Sequence, residues 1–268
     1  MTNFQAIVLG LVQGLTELLP VSSSAHLALT PYLLGWQDPG LSFDVALHFG
    51  TLVALMWYFR AEWIDMTRSA FSIVRTRRVE TVHDRRLVYL MVATVPAGVG
   101  GLLLNDLAKT TFRSPYIIGT TLILLGVLLW AIDKWSVRSR SIEEVTLRDA
   151  IIVGCAQVLA LVPGVSRSGS TITAGRLLHL DRPSAARFSF LMSMPITVAA
   201  VLKEAPEALR AEGLSMPLLY GVIAAAVSSW LAITVLLRYV SKHSFGIFAL
   251  YRVMLAGVVF YTLATRGG

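Results

Sequence analysis

Six runs of about twenty apolar residues divide this chain, at roughly 41 to 60, 87 to 105, 115 to 133, 185 to 204, 216 to 237 and 246 to 264. Each is long enough to cross a hydrocarbon layer as a helix. Backbone surrounded by lipid must satisfy its own hydrogen bonds, and runs of this length do so as helices rather than barrel strands. With 55% hydrophobic and 15% charged residues in 268, and a mean hydropathy of +0.68, no large soluble domain fits beside them. The expected fold is an all-α polytopic membrane protein, a single membrane domain over residues 1–268.

The net charge of +7 is spread over the connectors instead of being gathered into a basic patch with interleaved aromatics, so nucleic acid is excluded as a partner. The connector from 60 to 86 holds Arg60, Arg68, Arg75, Arg77, Arg78, Arg85 and Arg86 and is expected on the cytoplasmic side. No Lys or Arg precedes Arg60, so the N-terminus is expected outside, and no basic region marks a cleavable signal. By alternation the connector with Lys134, Arg138, Arg140 and Arg148 falls inside. Those around Lys109 and Arg113, and around Lys203 and Arg210, fall outside. The single cysteine, Cys155, reads as inert packing within an apolar stretch.

Two further apolar regions, 4 to 35 and 148 to 180, are each interrupted near the middle, by Pro20-Val21-Ser22-Ser23-Ser24 and by Pro163-Gly164-Val165-Ser166-Arg167-Ser168-Gly169. Each is expected to form two half-helices meeting at membrane depth, re-entering from opposite faces. The regions also resemble one another. Gly10-x-x-Gln13 and Gly154-x-x-Gln157 each stand a fixed interval, about nine positions, ahead of Ser22 and Ser166. Three crossing helices follow each, giving pseudo-repeats over about 1–133 and 148–266 with inverted topology. Such repeats place a site at the midplane where the broken helices meet.

Ionisable groups at membrane depth are costly enough to be functional candidates, which singles out Glu17, His26 and Arg167. Gln13 and Glu17 share one helix face. The first break supplies Ser22, Ser23, Ser24 and His26, hydroxyls and an acid–base group. The second supplies Ser166, Arg167, Ser168, Ser170 and Thr171 where a half-helix begins, with its unused N–H groups and the positive end of its dipole. Arginine offers a two-pronged donor to phosphate oxygens, and Gly164 and Gly169 let the backbone approach a ligand. A phosphate clamp, a carboxylate, a histidine and a serine together point to phosphoryl transfer.

The stretch Gln13-Gly14-Leu15-Thr16-Glu17-Leu18-Leu19-Pro20-Val21-Ser22-Ser23-Ser24-Ala25-His26 resembles the (E/Q)xxxE motif and the PVSSxxH segment of the bacterial undecaprenyl pyrophosphate phosphatase family. Pro163-Gly164-Val165-Ser166-Arg167-Ser168-Gly169-Ser170-Thr171 is similar to that family's PGxSRSGxT motif. The likeness extends over nearly the whole chain. It implies hydrolysis of undecaprenyl pyrophosphate to the monophosphate carrier of cell-wall synthesis, in the bacterial inner membrane, with the site open to the periplasm. Carried over by motif, Glu17, Ser23, His26 and Arg167 are catalytic; Gln13, Ser22, Ser166, Ser168, Gly169, Ser170 and Thr171 bind substrate. Ser23 is expected to attack with Glu17 as base while His26 protonates the leaving oxygen or activates water; the rival assignment makes His26 the nucleophile. Gln13 takes the uncharged option of its motif, leaving one carboxylate instead of two, and Ala25 replaces the glycine often found before the histidine. A divalent cation, magnesium or calcium, is expected only as a companion of the pyrophosphate and not in a protein metal site. Membrane lipids and a homodimer are the remaining expected partners.

The competing function is a lipid transporter or flippase, since broken helices at the midplane are also transporter architecture. A carrier would need Arg167 and the helix dipoles but not Ser23 with Glu17. Phosphatases with an SRx5H motif fit less well, because the next histidine after Ser166-Arg167 is His179. Asp44 and His48 read as a local pair on one helix. Arg176 and Arg187 are expected to snorkel to the interface.

Overall fold

The structure is a computed structural model that describes residues 1–104, 114–212 and 215–266. Its described residues form eleven α-helices and no strand, apart from an isolated bridge between Arg140 and Leu180. Lys109 and Arg113, expected in an outer connector, lie outside the described residues.

α1 (Asn3–Leu18) starts with a capping box, the Gln5 N–H donating to Thr2 Oγ1 and the Thr2 N–H to Gln5 Oε1. Its last turn runs into Pro20, which cannot continue a helix. α2 (Ser23–Leu34) begins after Ser22, so the first expected break lies between these two helices. α3 (Leu41–Tyr58) and α4 (Arg60–Thr76) meet at a bend of 83°. α5 (Val82–Leu103) and α6 (Pro115–Trp135) follow. The second break separates α7 (Leu147–Val158), extended by one 3-10 turn, from α8 (Arg167–Leu177). α9 (Arg182–Glu212), α10 (Met216–Val240) and α11 (Gly246–Arg266) complete the chain.

Among the described residues five helices are long and apolar enough to cross a membrane: α5, α6, the Arg182–Lys203 part of α9, α10 and nearly all of α11. Counting the bent α3–α4 pair as one span makes six. The 60 to 86 connector, read only as a basic loop, contains α4, whose charged residues Arg60, Glu62, Asp65, Arg68 and Arg75 share the helix with buried Met66 and Ser69. An amphipathic helix of this kind carries too much charge to register as an apolar run.

α1 lies along α10, α10 on α3, α5 on α7 and α6 on α11. The α1–α10 contact is backbone against backbone: a Cβ at Gly14 would sit 2.4 Å from Ala225 O, and one at Gly10 would sit 2.2 Å from Gly221 O. Small residues at helix contacts let membrane helices reach van der Waals packing without a hydrophobic drive from water. The largest core cluster gathers Leu18, Phe59, Phe188, Phe190 and Phe245. Leu102, Leu103, Leu124, Val235 and Tyr261 are exposed on the outside, where a bilayer supplies the apolar surroundings.

Several expectations change here. α9 continues through the supposed outer connector, so Lys203 is a helical residue. Cys155 is exposed instead of packed, because Val153, Gly154 and Gln157 form the buried face of α7 and position 155 points the other way. Arg176 does not snorkel: it is fully buried and bonded to Asp133 Oδ1 at 2.9 Å. Arg182 pairs with the same carboxylate at 2.7 Å, and the Phe245 N–H donates to it at 3.0 Å. With an acid and peptide oxygens within reach, the Arg176 guanidinium is satisfied inside the protein. Arg187 is paired with Glu62 of α4 at 2.8 Å.

Candidate active site

The two breaks are built alike. Ser22 and Ser166, the residues preceding α2 and α8, both adopt left-handed φ values, 74° and 71°. In each case the side-chain oxygen accepts the backbone N–H three residues on, Ala25 at 3.4 Å and Gly169 at 3.0 Å. In each case a second serine, Ser24 or Ser168, has its Oγ 3.2 Å away. The local strain of a non-glycine residue in this conformation is tolerated where the surroundings determine it, and such residues gather at functional sites.

The breaks also hold each other. The Gly164 N–H donates to Ser22 Oγ at 3.1 Å, and Ser168 Oγ donates to Leu19 O at 2.9 Å. Gly164 has φ +91, and a Cβ there would fall 2.1 Å from Thr121 Oγ1, so no other residue fits. Arg252 of α11, fully buried, donates to Pro20 O at 3.4 Å, to Gly164 O at 2.8 Å and to Val165 O at 3.1 Å, with Thr121 O and Leu122 O completing its shell. A guanidinium buried without a carboxylate is costly unless its donors are met, and here peptide oxygens meet them. Its Nη1 lies 2.8 Å from where a Cβ on Gly169 would be, which is why the second half-helix carries glycine there.

Glu17 sits at the meeting point. Its Oε1 is paired with Arg167, and its Oε2 receives Ser23 Oγ at 2.5 Å and Gln13 Nε2 at 3.1 Å. His48 Nε2 approaches the same oxygen to 3.4 Å. Arg167 is itself held by Ser193 O at 3.0 Å and Thr197 Oγ1 at 2.8 Å, both from α9. The helices α1, α2, α3, α8 and α9 thus all contribute to one network. The N–H groups of Ser23 and Ser24, and of Arg167 and Ser168, precede the first carbonyl-bonded turn of their helices and are not used by them.

These groups open onto one cavity of about 570 Å³. Its polar wall is Glu17, Ser23, Ser24, His48, Gln157, Ser166, Arg167, Thr197 and Lys203. Its apolar wall includes Ala97, Gly98, Leu102, Leu161 and Ile196. A cation-rich, hydroxyl-bearing end joined to an apolar surface suits a headgroup carrying a hydrocarbon tail. The amide of Gln157 is buried with no hydrogen-bond partner among the described residues. Such a group in a cavity wall is available to a ligand.

Not every expected residue faces this cavity. His26 bonds Ser22 O through Nδ1 and Tyr251 OH through Nε2, each at 2.7 Å, and stacks on the Tyr251 ring. Thr171 Oγ1 lies 2.8 Å from Arg167 O and 2.7 Å from Ser189 Oγ. Ser170 Oγ donates to Arg167 O at 3.0 Å, and Gly169 packs against Arg252. His48, read as one half of a local pair with Asp44, bonds the Asp44 carbonyl oxygen at 2.8 Å and turns its other nitrogen to the site. Gln157, Thr197, Lys203 and Arg252 were also not singled out. Arg252 carried a signal, a lone arginine inside an apolar run; Gln157 had served only to mark the repeat.

Among the described residues no cluster of three or more His, Cys, Asp or Glu could hold a metal ion. Among the described residues Glu17 is the one acid lining the cavity, and both its oxygens are engaged, by Arg167 and by Ser23 and Gln13.

Residues 6–258 match the family described as bacitracin resistance protein BacA. An undecaprenyl-diphosphatase of Gemmatimonas aurantiaca is 76% identical over 266 residues, covering 99% of this chain and 100% of that protein. Proteins of the same description from Moorella thermoacetica, 48% identical over 97% of both chains, and Pelotomaculum thermopropionicum, 45% identical over 98% of this chain and 97% of its own, are similar throughout.

Proposed function

The chain belongs to the bacitracin resistance protein BacA family, and from that membership we propose that it is an integral membrane hydrolase, an undecaprenyl-diphosphatase. It converts undecaprenyl pyrophosphate to undecaprenyl phosphate and inorganic phosphate, recycling the lipid carrier of cell-wall synthesis. The observation that carries this reading is the line Ser23–Glu17–Arg167. A hydroxyl bonded to a carboxylate at 2.5 Å, with a guanidinium on the far oxygen, opens onto a cavity that is polar at one end and apolar along its wall.

Ser23 attacks the terminal phosphorus, Glu17 draws off its proton, and a phosphoserine forms. Arg167, the free N–H groups of the two half-helices and Gln157 hold the pyrophosphate oxygens as charge shifts to the leaving phosphate. Ser22, Ser166 and Ser168 shape the two tips; Gln13 orients the carboxylate. With both ring nitrogens occupied, His26 keeps the first tip in place, which favours Ser23 over His26 as nucleophile.

The two half-helix pairs are two re-entrant segments of an inverted repeat, about 1–133 and 148–266, completed by six crossings. The matching serines and φ values at residues 22 and 166 support that reading. So does the exchange of packing partners, α1 on α10 and α7 on α5. The orientation that puts the arginines of 60 to 86 in the cytoplasm of a bacterial inner membrane opens the site to the periplasm.

The test is orthophosphate release from a polyprenyl pyrophosphate by protein purified in detergent, where transport has no meaning. Wild type releases phosphate, and Glu17→Ala, Ser23→Ala and Arg167→Ala each lose about three orders of magnitude in kcat/KM. Lipid movement in vesicles without any phosphate release in detergent would identify a carrier instead.

A further inference from the structure

His48 reaches the cavity from α3, and its two ring nitrogens are in different situations. Nδ1 lies 2.8 Å from the Asp44 carbonyl oxygen, which can only accept, so Nδ1 carries the hydrogen. Nε2 faces Glu17 Oε2 at 3.4 Å, an ion pair when the ring is protonated and an acceptor opposite an acceptor when it is neutral. In the neutral ring this contact is unfavourable, and a proton delivered to Nε2 converts it to an attraction. Oε2 is also the oxygen that receives the Ser23 hydroxyl at 2.5 Å. A proton resting on Glu17 would neutralise the carboxylate that Arg167 is paired with and leave the guanidinium without its counter-charge. A proton passed on to Nε2 displaces nothing and turns the repulsive contact into an ionic hydrogen bond.

We propose that His48 is the resting place of the Ser23 proton, acting through Glu17. The proposal rests on the phosphatase reading given above. As Ser23 Oγ bonds to the terminal phosphorus, the bond from phosphorus to the bridging oxygen breaks and its electron pair leaves with the polyprenyl monophosphate. The Ser23 proton moves to Glu17 Oε2 and on to His48 Nε2, leaving an imidazolium beside a carboxylate. In the second half, water adds to the phosphorus as Ser23 Oγ leaves; one water proton is relayed by Glu17 to Ser23 Oγ, the other stays on the phosphate, and His48 gives up its stored proton. One net proton per turnover passes to solvent.

Glu17 from α1 pairs with His48, and Arg167 from α8 and Lys203 from α9 are the other charged groups on the same cavity wall; on its own helix the ring is bonded to the neutral Asp44 carbonyl oxygen. α5 contributes only apolar and glycine positions to the cavity, and α4 and α10 contribute none. The site thus has a second proton-bearing group although Gln13 withholds a second carboxylate.

The experiment compares wild type, His48→Gln and His48→Ala by phosphate release from a short polyprenyl pyrophosphate in detergent, with thermal unfolding as the check on folding. The glutamine amide fills the space but takes no proton, so His48→Gln lowers kcat about 10²-fold with KM within about threefold of wild type. Wild-type kcat rises with pH as Nε2 becomes free to accept, and His48→Gln loses that limb. Added imidazole restores kcat of His48→Ala by about tenfold or more and leaves His48→Gln unchanged. A His48→Gln enzyme with wild-type kcat and an unaltered pH profile overturns the proposal, as does a folded His48→Ala that imidazole does not rescue. Should wild type itself release no phosphate, it is the phosphatase reading that falls.

Discussion

Arg167 makes its contacts from two ends of one plane. One nitrogen meets Glu17 and the other meets Ser193 O and Thr197 Oγ1, so the guanidinium bridges α1 to α9 on the cavity wall. Lysine keeps the charge but has no fork, and it cannot serve both ends at once. Arg167→Lys is therefore expected to lose about 10²-fold in kcat/KM while unfolding within a few degrees of wild type, measured by steady-state kinetics and thermal unfolding in detergent. Glu17, Ser23 and Arg167 were legible because each lies inside a contiguous motif whose residue types carry chemistry. His48 was not. Asp44 four residues before it gives a complete local explanation, and nothing in the order of residues says that the ring turns 3.4 Å from Glu17 across the bundle.

Among elements, the ends of α6, α8, α9 and α11 converge on the buried carboxylate of Asp133, which binds Arg176, Arg182 and the Phe245 N–H. Removing one partner of such a set leaves charge buried and unpaired, which costs more than the pairing itself contributes. Asp133→Ala strands two guanidinium groups and is expected to destabilise the protein by about 3–5 kcal/mol, read as early thermal unfolding or loss of expression. An Arg176→Met, Arg182→Met, Asp133→Leu triple variant, apolar throughout, recovers much of that loss. This cluster was invisible in the sequence because its members are 43 and 49 positions apart. The helix breaks, in contrast, were readable from Pro20 and Gly164, since proline and a left-handed glycine stop a helix by local sterics alone.

For the molecule as a whole, the apolar runs placed the long helices within a few residues, because lipid demands an uninterrupted apolar length. They failed at α4 and at the far end of α9, where charge lowers the hydropathy although the chain stays helical. Orientation was read from arginine counts and is open to a direct check. In a Cys155→Ser background, Arg78→Cys is expected to react with a membrane-impermeant maleimide only in inverted vesicles, and Asp38→Cys in intact spheroplasts. The reverse pattern would turn the molecule, and the mouth of its cavity, to the other side of the membrane.

The buried guanidinium of Arg252 ties the peptide oxygens of residues 20 and 164 to a single plane of atoms. Neither tip can drift without dragging the other, so an arriving lipid meets a rigid socket and spends none of its adhesion on assembling one. For the same reason, damage to either hairpin propagates to its twin.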